Sequence, residues 1–308
     1  MEGADPYSIE TQAELLGLRN IDPIPLPDSR PASTSVPAND RHAPRPALPS
    51  SSSFLGLRGT GRSSVWYLTQ LQRYSSYAFS GFAALHITNT SIIPLVTRSV
   101  ADSESYLLLT RPYYQSMLLE PVLITLPITT HVLAGLALRI HRRNQNLRRY
   151  GAGELTSSKR FEDKVKVWPA VSWSSLNGYI LTPMVLGHAL VNRTLPWVYE
   201  GGSSGVGLGY VSHGFAKHPF IAWTGYAALI GVGVAHFIWG VARWQKWTPV
   251  GVDRKARRRR WTINGITALV SAIWMAGGLG VVGRGGKSDG WVGKGHDNLY
   301  SKIPLLKL

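Results

Sequence analysis

The sequence predicts an all-α integral membrane protein: five transmembrane helices, the first four a repeated two-helix unit, behind a disordered N-terminal tail. Three observations predict it. Charged residues make up only 16% of the 308-residue chain, against roughly 25% in a soluble domain. Five apolar runs of near-spanning length follow residue 61. Trp and Tyr gather at their ends (Trp173, Trp197, Tyr199, Trp244, Trp247 and Trp261), as membrane–water interfaces require. The mean hydropathy of −0.02 averages this apolar part with an unlike beginning.

That beginning, residues 1–61, is the tail. It holds 9 of the 19 prolines, and 29–53 is Pro, Ser, Ala and Arg with hardly any apolar residue, too little to offset the entropy of ordering. Glu2, Asp5, Glu10 and Glu14 argue against a cleavable leader, which is poor in acids or built on an apolar core. Pro23, Ile24, Pro25, Leu26 and Pro27 stand out. Alternate prolines hold the segment extended before it binds anything. Ile24 and Leu26 keep N–H groups that can pair with a sheet edge. Composition alone leaves an ordinary linker open; interleaved apolar residues favour a ligand.

The membrane domain is expected over 62–283, with spans at 74–96, 117–138, 176–198, 219–241 and 261–282. Each approaches the roughly 20 residues that a hydrocarbon core needs. Asn89, Pro127, Pro183 and Asn192 interrupt them, which a helix inside a bundle tolerates. A C-terminal tail follows over 284–308.

The excess of 33 Lys+Arg over 17 Asp+Glu is concentrated in two loops. One carries Arg139, Arg142, Arg143, Arg148, Arg149, Lys159, Arg160, Lys164 and Lys166; the other carries Arg243, Lys246, Arg254, Lys255 and Arg257, Arg258, Arg259 and Arg260. Five spans put both loops on the side of the N-terminus, and the positive-inside bias places that side in the cytosol. Lys287, Lys294, Lys302 and Lys307 sit on the other side and weaken the contrast. Basic clusters against spans suit anionic lipid headgroups, so Arg142, Arg143 and Arg257 to Arg260 are candidate headgroup contacts. No nucleic-acid reading module accompanies them.

Spans one to four repeat. His86 and His188 are 102 residues apart, His131 and His236 are 105 apart, and Gly135 and Gly240 each follow a histidine by four. His131 and His236 lie about 11 Å from the basic ends of their spans, and His86 and His188 about 20 Å in, from the helical rise. Ionisable groups at such depth face a bundle interior. Either each imidazole bonds a neighbouring Asn, Thr or carbonyl and fixes packing, or the two matched pairs hold haem b between them. Haem is the one cofactor these residues suggest, and none is certain.

Catalysis finds no support. The chain has no Cys, which removes thiol chemistry and Cys-held metals. Gly201 to Gly209 lacks the Lys of a phosphate loop, and no nucleophile elbow or metalloprotease motif occurs. The chain is read as a non-enzyme.

The Pro-x-Pro tail, five expected spans and His-x-x-x-Gly pairs together resemble the fungal mitochondrial outer-membrane adaptor family first named for complementing loss of the Mdm-ten protein. The likeness covers roughly 10–27 and 65–283. The spans are also similar to the cytochrome b anchors of succinate dehydrogenase and fumarate reductase. The first resemblance implies a receptor at organelle contact sites, its Pro-x-Pro segment recruiting the bridge-like vacuolar sorting lipid-transfer protein (Vps-thirteen). Pro23, Pro25 and Pro27 would occupy the partner's groove, with Ile24 and Leu26 alongside. It further implies lipid homeostasis and phospholipid scrambling by the membrane domain. The second implies the alternative, a bis-His haem anchor in electron transfer.

Overall fold

The structure, a computed structural model, describes residues 63–149 and 168–306, and among them only helices, turns and loops occur. The tail with Pro23 to Pro27, and Lys159, Arg160, Lys164 and Lys166, lie outside the described residues.

Helix α1 (Ser64–Thr97) starts where the Ser63 hydroxyl accepts the Trp66 N–H. It widens into a π turn over Thr88–Ile92, just before Pro94. A proline ring collides with the carbonyl four residues back and supplies no N–H; a π turn absorbs both defects. Arg98 ends α1 in the left-handed region at φ 56°, its N–H on the Pro94 carbonyl. Ser99 then caps the short α2 (Val100–Thr110) by accepting the Asp102 N–H.

Helix α3 (Pro121–Arg148) opens with a second π turn, Pro121–Thr125, and returns along α1. The next described helix, α4 (Trp173–Ala189), runs through a π turn at Leu190–Thr194 into α5 (Leu195–Glu200), again just before a proline, Pro196. It packs antiparallel to α7 (Pro219–Trp244), with Ser174 beside His236 and Asn192 beside Tyr226. Helix α8 (Arg254–Gly278), capped by Asp253, closes on α1, where the Ser91 hydroxyl donates to the Trp274 carbonyl at 2.7 Å.

These directions sort the ends of the helices. The starts of α1, α4 and α8 and the ends of α3 and α7 share one end. Arg139 and Arg143 stack there on Trp168, and Arg243 donates to the Ser172 hydroxyl. At the opposite end, α2, α6 (Leu208–Lys217) and α9 (Gly290–Tyr300) form a cap. Leu107, Leu208 and Val282 pack beneath it. Val206, Tyr210, Leu299 and Tyr300 make a second cluster. The stretch expected as a C-terminal tail therefore contains a packed helix.

The described residues hold four helices long and apolar enough to cross a membrane, not the five expected. The segment expected as the third span is helical over its length, but Gly178, Pro183, His188, Asn192, Arg193 and Pro196 dilute it. It travels the bundle between the same two ends without the apolarity of the others. The four run Ser64–Thr97, Pro121–Arg148, Pro219–Trp244 and Arg254–Arg284, each ending beyond its expected bound, although the second starts four residues late. Only 11–17% of their most apolar stretches is buried in the protein, so most of that surface requires hydrocarbon around it.

Candidate functional site

The repeat seen in the sequence brings its histidines together in pairs. His131 on α3 faces His236 on α7, ring centroids 6.0 Å apart and planes at 90°. His131 Nδ1 lies 2.9 Å from the Gln72 carbonyl oxygen, and His236 Nδ1 lies 3.0 Å from that of Ser174. A carbonyl only accepts, so each Nδ1 carries the proton and each Nε2 a lone pair. Neither Nε2 has a hydrogen-bond partner among the described residues. Imidazoles that ligate metals are held in this way, the distal N–H on a carbonyl and the other nitrogen turned to the ligand.

His86 and His188 also meet, centroids 5.9 Å apart and planes at 77°, but their surroundings differ. His86 stacks on Phe82, and His188 meets Tyr226 edge-on. The Asn192 amide nitrogen lies 3.3 Å from His188 Nδ1 and 2.9 Å from the His188 carbonyl. The same amide nitrogen lies 3.3 Å from the Tyr226 hydroxyl, so its two hydrogens are shared among three acceptors. The donor chemistry fits a bis-imidazole haem at His131 and His236, whereas no carbonyl holds the His86 or His188 ring in that way among the described residues. The glycines four residues after His131 and His236 differ as well. A Cβ at Gly240 would meet nothing within 4 Å, whereas one at Gly135 would lie 2.7 Å from Gln72 Nε2.

The structure tightens the repeat. Gln72 and Ser174, which supply the two carbonyls, are 102 residues apart, as are His86 and His188, the starts of two π turns, and Pro94 and Pro196. Asn89 and Asn192 are out of this register by one. Each has a buried side-chain oxygen without a hydrogen-bond partner, and Asn177 has such a nitrogen. Sequence reasoning missed Gln72 and Ser174 because they act through main-chain oxygens.

The candidate headgroup residues divide. Arg257 and Arg258 line a cleft of about 610 Å³ with Arg254, Lys255 and Trp261. Arg259 and Arg260 do not line it. Arg142 is exposed, while Arg143 stacks on Trp168 at 4.9 Å. Arg193 and Glu120 form a two-pronged ion pair near the capped end, with Ser203 accepting from Arg193.

In the cap, His213 Nε2 donates to Asp297 at 2.9 Å, its Nδ1 accepts the Ser288 N–H, and Lys217 joins Asp297 at 3.1 Å. The hydrogen bonds from His213 and Lys217 hold the Asp297 carboxyl below its ordinary range. Burial, then the field of His213, lowers His296. No trio of His, Cys, Asp or Glu suited to a metal ion occurs among the described residues.

Four lipid-requiring helices, a basic end and paired interior histidines define a multi-pass helical membrane protein. Residues 183–287 match the family model described as MDM10-complementing protein 1, transmembrane domain, which supports the resemblance read from the sequence. That match starts inside α4 and takes in α5 to α8. Neither the comparison with curated proteins nor that with solved structures gave a match.

Proposed function

We propose that this chain is a non-enzymatic receptor of the mitochondrial outer membrane, recruiting a bridge-like lipid-transfer protein through Pro23 to Pro27. The observation that carries the reading is the shared end of the helices. The start of α1, from which the chain leads back to the tail, lies with Arg139, Arg142, Arg243 and the Arg254–Arg260 run. Positive charge favours the cytosolic face, so the tail is offered to cytosolic partners. The family match supplies the mitochondrial setting and the link to the Mdm-ten protein. A tethered segment raises the local concentration of its partner without rigid docking. The basic cleft with Trp261 then meets phospholipid headgroups as they arrive, and scrambling by the membrane domain would let both leaflets grow. The test is a pull-down of the lipid-transfer protein's adaptor-binding domain. Pro23→Ala with Pro25→Ala abolishes capture while membrane insertion persists; undiminished capture refutes the reading.

A second reading rests on the His131–His236 pair alone, a haem-bearing anchor. Haem bound there would supply one-electron chemistry. The chain's own part is to aim two Nε2 lone pairs and lock their tautomers through the Gln72 and Ser174 carbonyls. A Soret band in the purified protein, lost in His131→Ala and His236→Ala, supports it; protein saturated with haemin and still without that band excludes it.

A further inference from the structure

At the capped end, away from the basic loops, a cleft of about 820 Å³ lies between the end of α1, the start of α2 and the residues after α8. Arg98 and Arg284 line it, with Leu95, Val100 and Val281 as apolar wall. Both arginines are exposed, and neither guanidinium makes a hydrogen bond or ion pair among the described residues. Glu104 shares the lining, but its Oε2 is engaged by the N–H groups of Leu208 and Gly209, at 2.8 and 3.3 Å, where it caps α6.

Backbone conformation gives a second, independent observation. Arg98 occupies a left-handed helix C-cap at φ 56°, a position where glycine is the unstrained choice. A long cationic side chain held in such strain points to use of that side chain. Depth gives a third. Helix α8 from Arg254, at the basic end, to Gly278 rises about 36 Å, more than the roughly 30 Å of hydrocarbon, and Arg284 follows beyond its far end. Val96, next to the lining residue Leu95, is 77% exposed, so the cleft has an apolar neighbour that suits lipid.

We propose that this cleft binds the phosphate of a glycerophospholipid in the leaflet opposite the basic loops. Arg98 and Arg284 grip the phosphate, and the glycerol and upper acyl chains lie along Leu95, Val100 and Val281. Two guanidiniums present forked donors that match phosphate oxygens. The site is distinct from the basic cleft at Arg257 and Arg258 and does not depend on the receptor reading.

Native mass spectrometry of the full chain in detergent tests it, with dihexanoyl-phosphatidylcholine and inorganic phosphate as separate probes. Wild type is expected to carry phospholipid. Arg98→Ala with Arg284→Ala is expected to lose at least five-fold of it, and Arg98→Lys with Arg284→Lys to keep part. Arg98→Gly removes the guanidinium while relieving the backbone, so it is expected to melt no lower than wild type yet bind less lipid. Undiminished phospholipid in folded Arg98→Gly or in the double alanine variant overturns the proposal. Equal displacement of bound lipid by inorganic phosphate and by the short-chain lipid overturns the lipid assignment in favour of a free phosphate site.

Discussion

Gly277 and Gly178 both sit at close helix approaches. A Cβ at Gly277 would run into the Ser91 carbonyl, which is backbone and fixed by its helix. One at Gly178 would lie 2.9 Å from His236 Cε1, the edge of a side chain that can turn. Gly277→Ala is therefore expected to cost about 1–3 kcal/mol. Gly178→Ala should cost less in stability while prising His236 from the Ser174 carbonyl. Thermal unfolding in detergent checks the first, and the imidazole resonances of His236 check the second. Arg193 offers a third test, because Arg193→Leu leaves the half-buried Glu120 carboxylate without its cation. A loss of about 2 kcal/mol is expected, and Glu120→Gln in the same background should restore part of it. At this scale the sequence was legible where chemistry lies in side chains, as with His86, His131, His188 and His236. It was not legible at Gln72 and Ser174, since any residue carries the carbonyl they contribute. The Arg193–Glu120 pair escaped notice because 73 residues separate its partners.

Among the elements, the proline-linked π turns carry the repeat. Pro94 and Pro196 were not among the interruptions read from the sequence, yet the widening before each follows from the missing N–H and the crowded carbonyl. The third segment shows where periodicity and length mislead: 176–198 reads as a span because its leucines and valines are evenly spread, yet Asn192 and Arg193 lower its apolarity. The cap was the least legible part. Helices α6 and α9 are rich in Gly and His, and they are held by long-range bonds such as Tyr300 to the Tyr210 carbonyl, 90 residues apart. Its pH response follows from His296, whose ordinary value of 6.5 is lowered on folding. Below 6.5 the unfolded chain binds a proton that the folded one refuses, so stability is full above that value and declines as pH falls toward the folded value. Asp297, also lowered, keeps its contribution above its ordinary 3.8 and loses it only in stronger acid. His213, Lys217, Tyr210 and Tyr300 face the same cluster. Hydrogen exchange of α9 amides, corrected for intrinsic rate, should show lower protection at about pH 5.5 than at neutrality; equal protection contradicts this.

For the molecule as a whole, the decisive feature is polarity from end to end. Arginines and tryptophans crowd one end, while the other is closed by short helices over buried Tyr210, His213 and Leu299. The sequence carried the charge half of this contrast, and the directions of α1, α3, α4, α7 and α8 fix which residues share an end. Because the chain has no cysteine, single cysteines report sidedness cleanly. On intact mitochondria, a maleimide polymer too large for porins should label Arg258→Cys at once. It should reach Trp291→Cys, on α9, only after the outer membrane is opened. Labelling of both from outside, or of Trp291→Cys alone, would contradict an orientation with the basic end toward the cytosol.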